Sequence, residues 1–358
     1  MPAAPKPPVG CQTEAVKRLA ASLVIAALLL STGCVHEVDG RAQPKPIAGD
    51  PDFFFGEAAP TFGQRVGALD AVRLAYLQAL RRIDVCGLVN QRSLAKIGEI
   101  QSIGTLFVFD ECDVEVKSPG QVFARYISAT VELGQAEGPE VARVDGIAVR
   151  ESEAGSCEYL VPIDLAVLPG ARTLAGSEQP HLRVAMIADT NCVGVPRVAQ
   201  VIAENMARSP LPARDGLAAY VAPLAERDPC EVLSVLEVGY WDISGTGPYR
   251  CMFGVARKTA PEAVPMQVSL RPRVVDVSVD GRELVRTDGV EVYLDRERCT
   301  ASAFVGPVMQ RRLADGSLVD TGDDLQIRPA VDVTSGEADC TGTTLAAEVA
   351  ARAAALYG

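Results

Sequence analysis

YLQALRRIDVC at residues 76–86 and YVAPLAERDPC at residues 220–230 are two versions of one pattern. Tyr76, Leu80, Asp84 and Cys86 of the first fall in register on Tyr220, Leu224, Asp228 and Cys230 of the second. Outward from these stretches the correspondence continues. Leaving aside Cys11 and Cys34, the cysteines divide into Cys86, Cys112, Cys157, Cys192 and Cys230, Cys251, Cys299, Cys340, in the same order with similar gaps. Between the second and third cysteine of each set stand RVDGIAV (143–149) and RTDGVEV (286–292). The fourth cysteine opens CVG in one set and CTG in the other, and a helical pattern follows each. Agreement in order, spacing and local sequence at independent points reads as an internal repeat.

The local patterns set the expected fold class as α+β, with two similar units over residues 62–210 and 211–358. The first unit opens with apolar residues at helical spacing: Leu69, Val72, Tyr76, Leu80 and Ile83. In the second, Pro223 interrupts the matching helix, so it should be shorter or kinked. Each unit closes on a helix. Pro196 suits a first turn, with Val198, Ile202 and Met206 on one face, and the counterpart stripe is Leu345, Val349, Ala353 and Leu356. Between the helices, Asp145-Gly146, Asp280-Gly281 and Asp315-Gly316 separate β-rich segments, as tight hairpin turns do. Each unit is thus expected to be an antiparallel sheet with N- and C-terminal helices packed on it.

A chain of 358 residues with 48% hydrophobic residues can bury more than one core, and its formal charge of −12 disfavours phosphate-rich partners. No basic patch with interleaved aromatics is present, so no nucleic-acid partner is expected. Ten cysteines and two histidines, with no CxxC, argue against a zinc site, and no metal or other cofactor is expected. Disulfides are the remaining use for so many cysteines, provided the chain leaves the cytoplasm. Each set of four allows three pairings. Sequential pairing, Cys86–Cys112, Cys157–Cys192, Cys230–Cys251 and Cys299–Cys340, closes equivalent loops in both units. Each loop should stabilise by roughly 3 kcal/mol on the chain-entropy account. Free or cross-paired thiols are the alternative.

The amino terminus supplies the export signal. KRLAASLVIAALLLSTGC at residues 17–34 has a basic start at Lys17 and Arg18, then an apolar run from Leu19 to Leu30, short for a membrane span. Ser31-Thr32-Gly33-Cys34 resembles a bacterial lipobox, in which the cysteine is lipidated and becomes the new amino terminus. Ser31 departs from it, since Leu, Val or Ile usually stands there. Residues 1–33 are accordingly expected to be a signal peptide, and Cys34 the lipidation site on the outer face of the cytoplasmic membrane. An uncleaved single-pass anchor and a secreted form are the alternatives. Residues 1–15, rich in proline, read as an over-extended start, with Val16 a natural point of initiation. Residues 34–61 read as a flexible tether. Its Phe53-Phe54-Phe55 run either docks on the chain's own body or touches a membrane or partner.

A helix running into Asp-x-Cys, paired cysteines, strands, then a cysteine followed by a helix resembles a group of actinobacterial proteins. These are cell-envelope lipoproteins of unknown function and the related extracellular sensor-like domains of membrane Ser/Thr kinases. The similarity covers roughly residues 62–358 and rests on cysteine order with Asp228-Pro229-Cys230, varied to Asp84-Val85-Cys86. It implies a disulfide-braced sheet with helices and a groove, exposed outside the cytoplasmic membrane, and brings no catalytic residues. This chain carries two units and no kinase portion.

Catalytic patterns are absent. There is no GxSxG, HExxH or phosphate-binding glycine loop. His36 lies in the tether, and His181 has no counterpart in the second unit. Asp320, Asp323 and Asp324 lack the alternation of an EF-hand and read as a solvated turn. Paired carboxylates, however, leave no motif. The segment GYWDISGTGPYRC carries Tyr240, Trp241 and Tyr249, a possible recognition surface, with Phe107 and Phe109 in the matching loop of the first unit. Packing into the core is the bland alternative. The expected function is therefore a non-enzymatic, lipid-anchored binding or sensor-like module for a ligand, a cell-wall component or an envelope protein. The alternatives are an extracytoplasmic hydrolase using paired carboxylates and a passive structural spacer.

Overall fold

A computed structural model describes residues 53–89, 91–117, 125–153, 155–187, 192, 194–208, 211–214, 222–256, 262–275, 282–309, 312–313, 326–337, 340 and 342–358. Cys34 with its signal, the Asp280-Gly281 and Asp315-Gly316 turns, and Asp320, Asp323 and Asp324 lie outside the described residues. The described residues belong to one compact unit.

Each cysteine set brackets an antiparallel sheet, with Cys112 and Cys251 on strands and the others in loops, turns or short helical segments. The first sheet is built from β1 (Glu99–Gly104), β2 (Glu111–Lys117), β3 (Arg125–Gln135), β4 (Glu140–Val144), β5 (Ile147–Glu151), β6 (Glu158–Pro162) and β7 (Glu178–Ile187). The second uses β8 (Val238–Gly247), β9 (Arg250–Val255), β10 (Val264–Val275), β11 (Glu283–Thr287), β12 (Val290–Asp295), β13 (Thr300–Phe304) and β15 (Gln326–Ser335). Strand order is β1-β2-β3-β7-β6-β5-β4 in one and β8-β9-β10-β15-β13-β12-β11 in the other, which is the same path. The short strand β14 (Arg312–Leu313) leaves its own half and pairs with β1, making the first sheet eight-stranded.

Local chemistry repeats as well. Asp145-Gly146 joins β4 to β5 with φ of 48° and 91°, and Asp288-Gly289 joins β11 to β12 with 52° and 82°. Both residues of a two-residue hairpin turn need positive φ to follow the strand twist, which is why Asp-Gly recurs there. The four disulfides are the expected pairs, Cys86–Cys112, Cys157–Cys192, Cys230–Cys251 and Cys299–Cys340. Cys157, Cys192, Cys299 and Cys340 all adopt left-handed backbone, at φ of 56°, 52°, 54° and 56°. Such a conformation is uncommon away from glycine, so its recurrence at matching cysteines is a specific likeness.

Period-2 alternation puts Cys112, Val114 and Val116 of β2, and Val268 and Leu270 of β10, into two separate cores. Helix α4 (Val195–Arg208) adds Val198, Ala199 and Ile202 to the first core, beside Val161, Leu182 and Val184. Helix α5 (Thr343–Tyr357) adds Ala346, Val349, Ala350 and Ala353 to the second, beside Ala301, Val331 and Val333. The run of alanines suits a helix lying close to a sheet, since short side chains leave little space to fill.

The leading segments differ. Helix α1 (Ala68–Arg81) is regular and is followed by single turns α2 (Val85–Leu88) and α3 (Gln91–Leu94). Leu69, placed on its apolar stripe by spacing, is 67% exposed, because the first helical turn projects beyond the packed surface. In the second half the described residues form two 3₁₀ segments, Pro223–Glu226 and Pro229–Val235, instead of an α-helix. Prolines 223 and 229 remove backbone donors and break the register an α-helix would need.

Candidate functional site: the seam between the halves

Helix α1 has two buried faces. Tyr76, Ala79, Leu80 and Ile83 belong to the first core, while Leu74 and Leu77 pack with Ile243 of β8 and with Trp241. The helix therefore joins the halves. Two arginines secure it. Arg73 Nε donates to Ile243 O at 2.9 Å, and Arg73 Nη2 donates to Ser244 O and Thr246 O at 2.9 and 3.1 Å. Its Nη1 pairs with Glu178. At the helix end, Arg81 donates to Pro248 O at 3.0 Å and pairs with Asp228. Three carbonyls of an irregular strand find their donors on a single guanidinium, a match Arg's forked geometry makes possible.

Asp228 shows what Asp-x-Cys does in the second half, whereas its counterpart Asp84 makes no such side-chain cap. The Asp228 side chain accepts from Cys230 N at 2.9 Å, while Glu231 Oε1 accepts from Asp228 N at 3.1 Å. This reciprocal cap starts the segment that delivers Cys230 to its bridge, with Pro229 at the first turn position where no backbone donor is required. Arg227 holds the Glu231 carboxylate with both Nε and Nη2. Burial works to raise the Glu231 carboxyl, but the Arg227 hydrogen bonds, the Asp228 N–H and the charges of Arg227 and Arg81 outweigh it and hold it below the usual range.

The two matching hairpin turns meet across the seam. Phe109, from the β1–β2 turn of the first half, is 1% exposed and belongs to the core of the second. Its ring lies 5.5 Å from that of Tyr249, in the β8–β9 turn. Tyr249 donates to Ala225 O at 2.7 Å, and Arg214, from the link between the halves, stacks over its ring and donates to Phe109 O at 2.7 Å. Next to Phe109, burial pushes the Asp110 carboxyl up to about 7. Its own backbone N–H acts against this, Glu111 and Glu132 reinforce it, and Arg214 again opposes it.

Above this junction lies a cleft of about 460 Å³, lined by Gln78, Arg81, Arg82, Arg214, Glu226, Asp228 and Glu231, with Phe53 and Pro60 at its rim. The incoming chain forms one wall. Phe53 O accepts from Arg82, whose guanidinium sits 5.6 Å from the Phe53 ring centre, and Phe54 is buried in the first core. Phe55 packs edge-on against Tyr76. The Phe53–Phe55 run thus docks on the chain's own body.

The aromatic segment does not form one recognition surface. Tyr240 is 45% exposed, whereas Trp241, its neighbour on β8, turns to the opposite face and packs with Phe62 and the α1 side of the seam. Tyr249 is 3% exposed and lies in the core, which corrects its expected place on a surface. Strand alternation turns Trp241 away from Tyr240, whereas Tyr249 lies in the β8–β9 turn and is drawn inward by Phe109 of the other half. His181 is buried on β7, with Nδ1 3.1 Å from Gln179 O and Nε2 3.7 Å from Glu132. The arginines of the seam carried no motif. Their only signal was charge, Arg81-Arg82, at the end of an otherwise apolar helical face.

Among the described residues, no group of three or more His, Cys, Asp or Glu is placed to hold a metal ion, and no helix is long and apolar enough to cross a membrane. What the cleft offers chemically is a charged recess made by both halves, with arginines and carboxylates facing a common space. Compared with models of protein families, with curated proteins and with solved structures, the chain finds no match.

Proposed function

We propose that this chain is a lipid-anchored extracytoplasmic envelope protein that arose by duplication of one α+β unit and binds its ligand in the seam cleft. The shared strand path, the matching Asp-Gly turns and the four left-handed cysteines support duplication, with units over residues 62–210 and 211–358. In this reading each unit is a sheet carrying its own closing helix, and the leading helix of the first serves both. Four disulfides favour an oxidising compartment, in keeping with a lipid anchor at Cys34 and with the similarity to actinobacterial envelope lipoproteins and kinase sensor-like domains.

The observation that carries the binding role is the cleft itself. Its volume falls in the range of small-ligand sites, roughly 300–1,000 Å³, and it is lined by residues of both halves. Its carboxylates Asp228 and Glu231 are each engaged by an arginine, an arrangement for holding rather than for proton transfer. A photocrosslinking side chain at Gln78, in the full lipidated chain in its own membrane, should yield a discrete adduct. The same group at exposed Val167 should not. Equal labelling at both positions, or none at Gln78, removes the cleft from consideration. Labelling with a palmitate analogue, abolished by Cys34→Ala, tests the anchor.

One observation favours the hydrolase alternative. Asp110, beside the seam but outside the cleft's lining, has its carboxyl raised to about 7 and so would keep a proton near neutral pH, as a general acid must. Hydrolysis of an envelope polymer that is lost in Asp110→Asn, with adduct formation at Gln78 intact, would establish that reading instead.

A further inference from the structure

On the outward face of the second sheet, strand register builds a two-row grid. Across β8, β9 and β10 the first row reads Tyr240, Gly254, Pro265, and it ends on Gly336, whose N–H donates to Pro265 O. The second row reads Asp242, Met252, Gln267, Thr334. A shallow hollow of about 150 Å³ lies over these residues.

The first row is a platform. Gly254 stands opposite Tyr240, and a Cβ on Gly254 would fall inside contact distance of three atoms of the tyrosine ring. The ring therefore rests on bare backbone with its other side toward solvent, and Tyr240 stays 45% exposed. Gly336 is likewise closed down on Pro265, where a Cβ would meet the proline Cβ at 2.9 Å. The second row supplies hydrogen-bonding groups at a fixed distance from that platform. Asp242 is oriented by Ser244 Oγ at 2.7 Å and by Gly245 N at 3.0 Å. Gln267 Nε2 donates to Ser269 Oγ at 3.1 Å, which sets the plane of its amide.

A ligand matched to this plan has one flat apolar face, to lie on a ring whose π-face is electron-rich, and an edge of hydroxyls to meet a carboxylate, an amide and a hydroxyl. We propose that this face is a saccharide-binding site, taking a single neutral pyranose unit of an envelope glycan against Tyr240. The hollow is below the size of a drug-like pocket and suits one ring. A nucleotide or phosphorylated ligand is disfavoured, because the only charge in the grid is the Asp242 carboxylate.

The first half provides an internal control. By the same register its grid reads Ser102, Glu115, Tyr126 and Gly104, Asp113, Ser128, Ala185. Glu115 and Asp113 occupy the positions of Gly254 and Met252, and a serine replaces the platform tyrosine. The shared fold therefore does not itself require Tyr240 over Gly254. The site is independent of the seam cleft.

The test uses the full-length lipidated protein in detergent, titrated with β-1,4-linked N-acetylglucosamine tetramer, cellotetraose and mannotetraose, by calorimetry and by saturation transfer to the sugar protons. At least one should bind. Tyr240→Ala and Gly254→Val should weaken it roughly ten-fold or more, equivalent to about 1.4 kcal/mol. Tyr240→Phe should retain it, and circular dichroism should be unchanged in all three variants. Arg214→Ala, in the seam, should bind as the parent does, so that failure of the cleft and failure of this site are read separately. Absence of binding by all three oligosaccharides up to about 10 mM, a range well beyond ordinary weak binding, or binding unaltered by Tyr240→Ala, overturns the proposal.

Discussion

The halves follow the same strand path, yet at one equivalent pair of outward positions their charges are exchanged. Aligning Cys112 opposite Ala129 with Cys251 opposite Val268 puts Glu132 level with Arg271, and Arg183 level with Asp332. In the first sheet Arg183 Nε meets Glu132 at 2.8 Å, and Glu158 lies 3.3 Å from the same arginine. In the second, Asp332 is bound by Arg273 at 2.7 Å and by Arg271 at 3.5 Å. An attractive cross-strand diagonal serves either polarity, so the sheet tolerates the exchange. Burial does not match. Arg183 keeps 35% of its side-chain exposure and its counterpart Asp332 only 5%. Equivalent positions in one fold can thus differ widely in what they contribute.

The largest expected effect breaks the independence of the halves. Phe109→Ala removes a first-half side chain from the second-half core and should cost about 3–5 kcal/mol. In hydrogen exchange the loss of protection should appear in β9 and β10, belonging to the other half. Protection lost only in β1 and β2 would show that the exchange across the seam has little energetic weight.

Next, replacing the pair Cys86 and Cys112 by alanine, or the pair Cys230 and Cys251, should lower stability by about 3 kcal/mol in either case, since the closed loops are similar, 26 and 21 residues. A several-fold difference in denaturant-derived stability would mean that one bridge braces something the other does not. The charge exchange gives a sharper contrast. Asp332→Ala leaves two partly buried arginines unpaired and should cost about 3 kcal/mol, whereas Glu132→Ala should cost about 1 kcal/mol or less. Equal losses would make burial irrelevant to these pairs.

A separate contrast is a pH dependence at the seam. Asp110 is raised to about 7 in the folded chain, while an unfolded aspartate titrates near 4, at about 3.9. Between these values the folded state holds more protons, so its contribution to stability is complete below about 4 and declines as pH rises through about 7. Thermal midpoints should fall over that interval and flatten in Asp110→Asn. A slope unchanged in the variant would assign it to another group.

Much of this organisation was legible from residue order. Helix α1 buries Tyr76 and Leu80 of its stripe, with Ile83 just past its end, Pro223 opens a 3₁₀ segment instead of an α-helix, and Asp145-Gly146 makes a hairpin. Each of these depends on neighbours within a few residues, where propensity and spacing act directly. Sequential disulfides were legible because both sets had to close equivalent loops. The seam was not. Nothing local marks Phe109 as a core residue of the other half, or gives α1 a second buried face through Leu74 and Leu77.

The sequence by itself determined element types and turn chemistry, set by steric preference and short-range periodicity, and favoured sequential cysteine pairing among three possibilities. Only the tertiary structure decided the fates of Tyr240, Trp241 and Tyr249, three aromatics of one short segment. The first lies on backbone left bare by Gly254 and faces solvent, the second turns into the seam, and the third is enclosed by Phe109 and Arg214. Strand alternation separates adjacent side chains, but which face is covered depends on a partner distant in the chain, and that partner is chosen by packing rather than by local pattern.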